Sequence, residues 1–399
     1  MYKHFIYILL FFVIISCKNK ADKKSEPGNN PSETPTEQEN NTAHVPIQNF
    51  YKRLEGKIAG QDIVANFSKF EDKMFFNYYY VSQGMPIGLF ENPEAKLLGD
   101  SIELIEYDML KKGDYQESDN KWRIVITENG IAGKWISRNG KKVHDINLKE
   151  SYPAGSHLFN VVGKSGSYPI IFKKDTVAAT SDMMVMEPSD AATNNWFREN
   201  FIKNILGDST ETSLSLSQII EKHTQNYFDE YKAEIDTMRM NNDFADTGTH
   251  YTLNYVNELN TNALYNDKDF VVIEVGNYSY FGGAHGLEGK TAVCYNMKQK
   301  KQMQLGDVLS IDSASLQKIV EKNFRARSGI KPNQPMTEIL FENNLPANDN
   351  FYFTNKGLGF IYQPYEVAAY AVGILYVFIP YTDLKPYLNP QFAQQMQIE

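Results

Sequence analysis

Residues 270–296 read FVVIEVGNYSYFGGAHGLEGKTAVCYN, and their reading decides the fold of the second half of the chain. Eleven residues rich in β-branched and aromatic side chains come first, a strand by composition. GKTAVCYN at the far end reads as another. Between them lie Gly282, Gly283 and Gly286, with Gly289 just beyond. This spacing predicts a wide β-connection whose glycines take positive φ or let two backbones approach closely. His285 sits inside it. Two roles are open for this histidine. It packs against Tyr280 and satisfies turn carbonyls, or it touches a ligand, since glycine-rich loops bearing aromatics project recognition groups.

Working outward, the surrounding segments alternate between helix and strand patterns. NNWFRENFIKNIL places Trp196, Phe197, Phe201, Ile205 and Leu206 on one helical face. SLSQIIEKHTQNYFDEYKAEI predicts a second helix with Ile220, Tyr227, Tyr231 and Ile235 in register and Ser217 as its cap. SASLQKIVEKNFRAR predicts a third, capped by Ser313 or Ser315. NFYFT, LGFIYQ and GILYVFIPY return to strands. The expectation is an α+β domain over 182–390, an antiparallel sheet with packed helices. Upstream, residues 50–175 hold short strand patterns about ten residues apart, punctuated by SQG, ENG and RNG. That pattern predicts an all-β domain, a sandwich or a barrel.

The N-terminus reads differently. Lys3 precedes FIYILLFFVII, an eleven-residue apolar run too short to span a bilayer comfortably and suited to a secretory signal core. Residues 1–16 are therefore expected to be a signal peptide. The run ends in IISC, which resembles a bacterial lipobox. The resemblance implies cleavage before Cys17 and lipid attachment to its thiol; an ordinary signal or an uncleaved anchor are the alternatives. Residues 17–49 contain KSEPGNNPSETPTEQENNT, too polar to build a core, and read as a tether spanning ~30 Å as a coil and ~100 Å stretched. Lys18 after Cys17 is compatible with outer-membrane sorting. With Cys17 lipidated, Cys294 is the other cysteine of the chain and has no partner, so no disulfide framework is expected. Removing 1–16 leaves 39 Lys+Arg against 49 Asp+Glu, a balance that argues against nucleic acid as a partner.

Catalytic signatures are few. Gly163-Lys164-Ser165 looks like the end of a phosphate loop, but Leu158 stands where that motif needs glycine. Neither a G-x-S-x-G elbow nor H-E-x-x-H occurs, and the histidines are scattered singly. No metal and no cofactor are expected.

YSYFGGAHG, then LGDVL at 305–309, then FTNKGLGFIYQPYEVAAYAVG resemble, in that order, the hallmarks of a family of bacterial envelope domains of unknown function. The family also forms the outer part of lysozyme-sensing anti-sigma factors and accompanies some peptidoglycan deacetylases. The resemblance covers about 182–388 and implies an envelope-facing recognition surface. This chain departs from the sensors in having no apolar run after the N-terminal one long enough to span a membrane, and from the deacetylases in lacking their motif. The expected binding residues are Tyr278, Tyr280, Phe281, Gly282, Gly283, His285, Tyr365, Glu366 and Tyr370. Glu366 and Tyr370 are four apart, so a helical turn puts them on one face. Glu366 is then either buried, bonded to Tyr370 or the glycine loop, or part of a ligand site.

The resulting expectation is a non-enzymatic, lipid-anchored envelope protein binding a cell-wall glycan or a cationic wall-active protein such as lysozyme. The alternative is a wall-polymer hydrolase or deacetylase with His285 as general base and Glu366 orienting it.

Overall fold

In the first eight strands the inward-facing side chains are mainly apolar, and two-residue turns join the first strand to the second, the second to the third and the sixth to the seventh. The computed structural model describes residues 49–92, 95, 100–107, 120–207, 213–241 and 250–398. The signal peptide, Cys17 and all but the last residue of the tether lie outside them. The strands are β1 (Phe50–Ile58), β2 (Gln61–Phe70), β3 (Lys73–Tyr80), β4 (Ile87–Glu91), β5 (Ser101–Tyr107), β6 (Lys121–Thr127), β7 (Gly130–Ile136) and β8 (Val143–Glu150). Each pairs antiparallel with its successor, and β8 returns to β1 through Leu54↔Glu150 and Glu55↔Lys149. The all-β region is therefore a closed barrel, which leaves no sheet edge unpaired. Leu54, Phe67, Leu104, Trp122, Ile124 and Leu148 fill its interior.

A six-stranded sheet follows, made of β9 (Phe159–Phe172), β10 (Asp175–Pro188), β11 (Tyr255–Asp267), β12 (Phe270–Tyr280), β13 (Leu287–Asn296) and β14 (Lys301–Gln302). Its order is β14-β13-β12-β11-β10-β9. The β10–β11 pair is parallel, and its crossover carries the first two helices. The break read from sequence at 175–182 falls inside β10. The chain changes sheet earlier, across 151–158, because β9 and β10 form one long hairpin paired from Asp175↔Phe172 to Pro188↔Phe159.

Helix α1 (Ala191–Phe201) is capped by Asp190 and runs into a π-helical turn over Ile202–Leu206. Phe197 and Phe201 are buried, with Trp196, Ile205 and Leu206 packed beside them. Helix α2 (Leu216–Asn241) starts one residue before the expected Ser217 cap. Ser215 caps it instead: its hydroxyl accepts from Gln218 N, and its own N–H donates to Gln218 Oε1 at 2.9 Å, a reciprocal capping box.

On the opposite face lie α3 (Leu305–Val308), α4 (Ser313–Ser328) and a three-stranded sheet of β15 (Phe351–Phe353), β16 (Gly357–Tyr362) and β17 (Leu375–Pro380). The cap of α4 is Asp312, which accepts from Ser315 N at 2.9 Å, rather than either serine. β12 separates the layers. Val271, Ile273 and Val275 pack among the α1 side chains, while Phe270 and Val272 pack among those of β15–β17 and α4. The whole is α+β, mostly strand with helices on the second domain.

Barrel and sheet belong to one unit, 47–399. Val64, Phe70 and Tyr79 of the barrel join the apolar clusters of the sheet, and the joint also holds a buried polar network. Arg53, 1% exposed, donates through Nε to the Asn266 carbonyl at 2.8 Å and through a terminal nitrogen to the Ser151 carbonyl at 2.8 Å. The same nitrogen reaches Glu55. Asn77 donates to the Ala263 carbonyl at 2.7 Å, beside a bulge between Ala263 and Tyr265. Asn266 donates to the Tyr51 hydroxyl and the His157 carbonyl.

Candidate functional site

The connection from β12 to β13 ends the six-stranded sheet and straddles both of its faces. Strand alternation sends Tyr278 and Tyr280 toward the three-stranded sheet and Phe281 toward α2. Phe281 is 57% exposed and meets Tyr255 edge-on at 5.8 Å and Tyr227 at 6.3 Å. Tyr280 is half-buried and pairs with Val256 across the β11–β12 ladder.

The glycines divide the work unequally. Gly282 takes φ +86°, and a side chain there would meet the Thr252 carbonyl. Gly286 is buried beneath the Tyr278 ring, which an added Cβ would overlap. Gly283 needs neither property; an added Cβ would meet nothing nearer than the His285 carbonyl at 3.7 Å. Gly286→Ala is therefore expected to destabilise the protein by about 1–3 kcal/mol through overpacking, and Gly283→Ala by less than about 0.5 kcal/mol. Thermal midpoints of the two variants measured side by side check this.

His285 is exposed and does not pack on Tyr280. Its ring stacks on Tyr370, centroids 4.0 Å apart and planes 25° apart. Its Nδ1 lies 2.8 Å from the Gly286 carbonyl, which also accepts from the Tyr370 hydroxyl at 2.8 Å. Its Nε2 faces the Tyr365 hydroxyl at 3.4 Å. The Tyr365 ring lies 5.5 Å from Tyr370 and within 30° of parallel to it. Three rings from two distant segments thus form one solvent-facing platform, with Tyr278 behind it against Gly286.

Tyr365 holds φ at +69°, a left-handed conformation that is rare for a bulky residue. Its N–H donates to the Ala368 carbonyl, and its side chain is 54% exposed. The backbone around it is fixed from both sides. Gln363 donates to the Lys290 carbonyl at 2.7 Å and accepts from Lys290 N at 3.0 Å. Strained backbone that presents an exposed ring is a mark of recognition sites.

Glu366 departs from the first sequence expectation: it is neither buried nor bonded to Tyr370 or the glycine loop. Residues 363–368 form a turn rather than a helix, so the four-residue spacing does not align Glu366 with Tyr370. Glu366 is exposed, and its two oxygens accept from Gln363 N at 2.7 Å and Asn348 Nδ2 at 2.9 Å. It braces the turn that displays Tyr365. An acid near the platform that is not among the expected binding residues is Glu288, whose charge, after burial, helps raise the Tyr370 phenol above its usual value. Farther along β12, Glu274 is buried against Lys290 and accepts from the Tyr376 hydroxyl at 2.8 Å. Among the described residues no three His, Cys, Asp or Glu converge as metal ligands, and no helix is long and apolar enough to cross a membrane.

Residues 307–382 match the model of a family described as a protein of unknown function, DUF3298. That match begins after the glycine loop and includes Tyr365, Glu366 and Tyr370. A solved member of the DUF3298 family from Bacteroides fragilis is similar to 61% of this chain over 100% of its own, at 18% identity and a TM-score of 0.55. A DUF3298 family protein from Pseudomonas aeruginosa is similar over 59% of this chain and 96% of its own, at 14% identity and a TM-score of 0.42. The first likeness concerns the fold. No curated protein matches the chain.

Proposed function

We propose that this chain, with its DUF3298 domain at 307–382, is an exported recognition protein of the bacterial envelope, held to the outer membrane by a lipid on Cys17. Its binding surface is the platform of His285, Tyr365 and Tyr370, and the ligand is a cell-wall glycan. The observation that carries this reading is Tyr365, kept at positive φ so that its ring faces solvent beside a second stacked pair. Flat exposed rings take the apolar face of a sugar, while the hydroxyls of Tyr365 and Tyr370 and the edge of His285 lie within reach of its polar rim.

A second reading, a cationic wall-active protein such as lysozyme, draws on a different observation. Glu288 and Glu366 are exposed near the rings, and the chain carries a net charge of −9. Acids around aromatic anchors suit a basic partner, steering it and stacking its arginines. The hydrolase or deacetylase reading would need Glu366 to orient His285. Instead His285 Nδ1 faces the Gly286 carbonyl, and the Glu366 oxygens serve the turn.

The test is calorimetric titration of residues 45–399 with soluble wall fragments and, separately, with lysozyme at low and moderate salt. Heat with wall fragments that is lost in folded His285→Ala and Tyr365→Ala variants supports the glycan. Salt-sensitive heat with lysozyme lost in the same variants moves the partner to protein. Silence with both ligands ends the proposal.

A further inference from the structure

The barrel carries a second feature that the platform does not use. Cross-strand register puts Glu106 on its inner face, opposite Leu89, and sets Leu104, Trp122, Trp135 and His144 in one inward row. Glu106 is 7% exposed. Its Oε1 accepts from the Tyr78 hydroxyl at 2.7 Å, Trp122 Nε1 at 2.9 Å and Trp135 Nε1 at 2.7 Å. Its Oε2 accepts from Asn120 Nδ2 at 2.7 Å. Every one of these donors is neutral. Burial and the Glu106 carboxylate both push the Tyr78 phenol well above its usual value, so the phenol keeps its proton and donates.

Four neutral donors satisfy hydrogen bonding, and among the described residues no cation pairs with the charge itself. A buried carboxylate without a cation is costly, and a glutamine of the same shape would fill this place without that cost. The barrel's other buried carboxylate follows the ordinary rule: Glu103, 4% exposed, is paired by Lys121 and Arg123. Oε1 is crowded by three donors, whereas Oε2 has one and retains an acceptor position. Around the carboxylate stand aromatic rings that turn their N–H and O–H edges toward it and pack on one another. Tyr78 packs on Trp122 at 4.9 Å and on Tyr80 at 5.6 Å, and Trp135 packs on His144 at 5.5 Å. Tyr80, Trp135 and His144 are half-exposed, so this end of the barrel reaches solvent. A buried carboxylate with an acceptor position left on Oε2, beside a rim of half-exposed aromatic side chains, is the chemistry that receives an ammonium group.

We propose that this end of the barrel binds a primary ammonium group, as on a lysine side chain or a diamine. Glu106 Oε2 accepts its proton-bearing nitrogen, and Tyr80, Trp135 and His144 enclose its alkyl stem. The site is separate from the platform and does not depend on the reading given for it.

The test is titration of residues 45–399 with cadaverine dihydrochloride against sodium chloride of equal ionic strength, followed by tryptophan emission. Two of the three tryptophans of the chain, Trp122 and Trp135, touch Glu106, so occupancy changes their emission. The expected result is a saturable change absent with sodium chloride, weakened at least about tenfold in Glu106→Gln. His144→Ala, at the half-exposed rim, tests the same site without disturbing the buried carboxylate and is expected to weaken binding about threefold or more. A flat titration of the wild-type protein overturns the proposal. So does unchanged affinity in a folded Glu106→Gln protein or, should that variant not fold, in His144→Ala.

Discussion

Replacing Arg53 by methionine is expected to lower the thermal midpoint of the folded unit by at least roughly 5 °C and to split its unfolding into separate barrel and sheet transitions. Methionine keeps most of the volume and removes every donor. The Asn266 and Ser151 carbonyls then lose their charge-assisted partner at a place where water does not reach Arg53, 1% exposed. Each unsatisfied carbonyl costs about 1–3 kcal/mol, so the pair costs about 2–6 kcal/mol. The contact to Glu55 adds little, because that carboxylate is 41% exposed. Arg53→Lys is expected to recover less than half of the loss. One ammonium cannot serve two carbonyls from the planar fork that places Nε and a terminal nitrogen toward β11 and residue 151 together. Calorimetry decides it: one transition within about 1 °C of the wild-type midpoint would mean that apolar packing alone joins the two parts.

Why that joint was invisible in the sequence is a matter of distance along the chain. Arg53 looks like one more polar position in an alternating strand, and its partner Asn266 lies 213 residues away. The same limit left sandwich and barrel undecided. The turns and alternation of 50–150 are local and were legible, but closure rests on β1 meeting β8 about a hundred residues later. Helix faces were readable from periodicity, as Phe197, Ile220, Tyr231 and Ile235 show, whereas caps were misplaced because serines at 213, 215 and 217 compete and only geometry selects Ser215. At the site, the glycine loop signalled itself by composition. Tyr365 did not: nothing in QPYEVAAY announces positive φ at the tyrosine, since the Gln363–Lys290 and Glu366–Gln363 bonds that impose it depend on strands meeting in space. Glu106 did leave a signal, an acid on the inward face of SIELIEY with Leu104, but a strand apolar on both faces hides which side is inward.

Tyr365→Gly separates display from stability more sharply than any other change at the platform. Left-handed backbone costs a tyrosine about 1 kcal/mol that glycine does not incur. The ring's contacts with His285 and Tyr370 return about 0.5–1.5 kcal/mol, and at 54% exposure the side chain buries little else. The two effects oppose each other, so the midpoint of Tyr365→Gly is expected within about 2 °C of wild type. Tyr365→Ala loses the same contacts and keeps part of the backbone strain, so it is expected to melt below Tyr365→Gly. Binding responds differently, since both variants lose the outermost ring. Affinity for the platform's ligand is expected to fall about thirtyfold in each, the effect of removing an aromatic anchor worth about 2 kcal/mol. Equal binding loss with unequal stability would establish that the strained backbone exists to present this ring. If Tyr365→Gly melted far below wild type, Tyr365 would instead be a packing residue, and its exposure would be incidental to the turn that Glu366 braces.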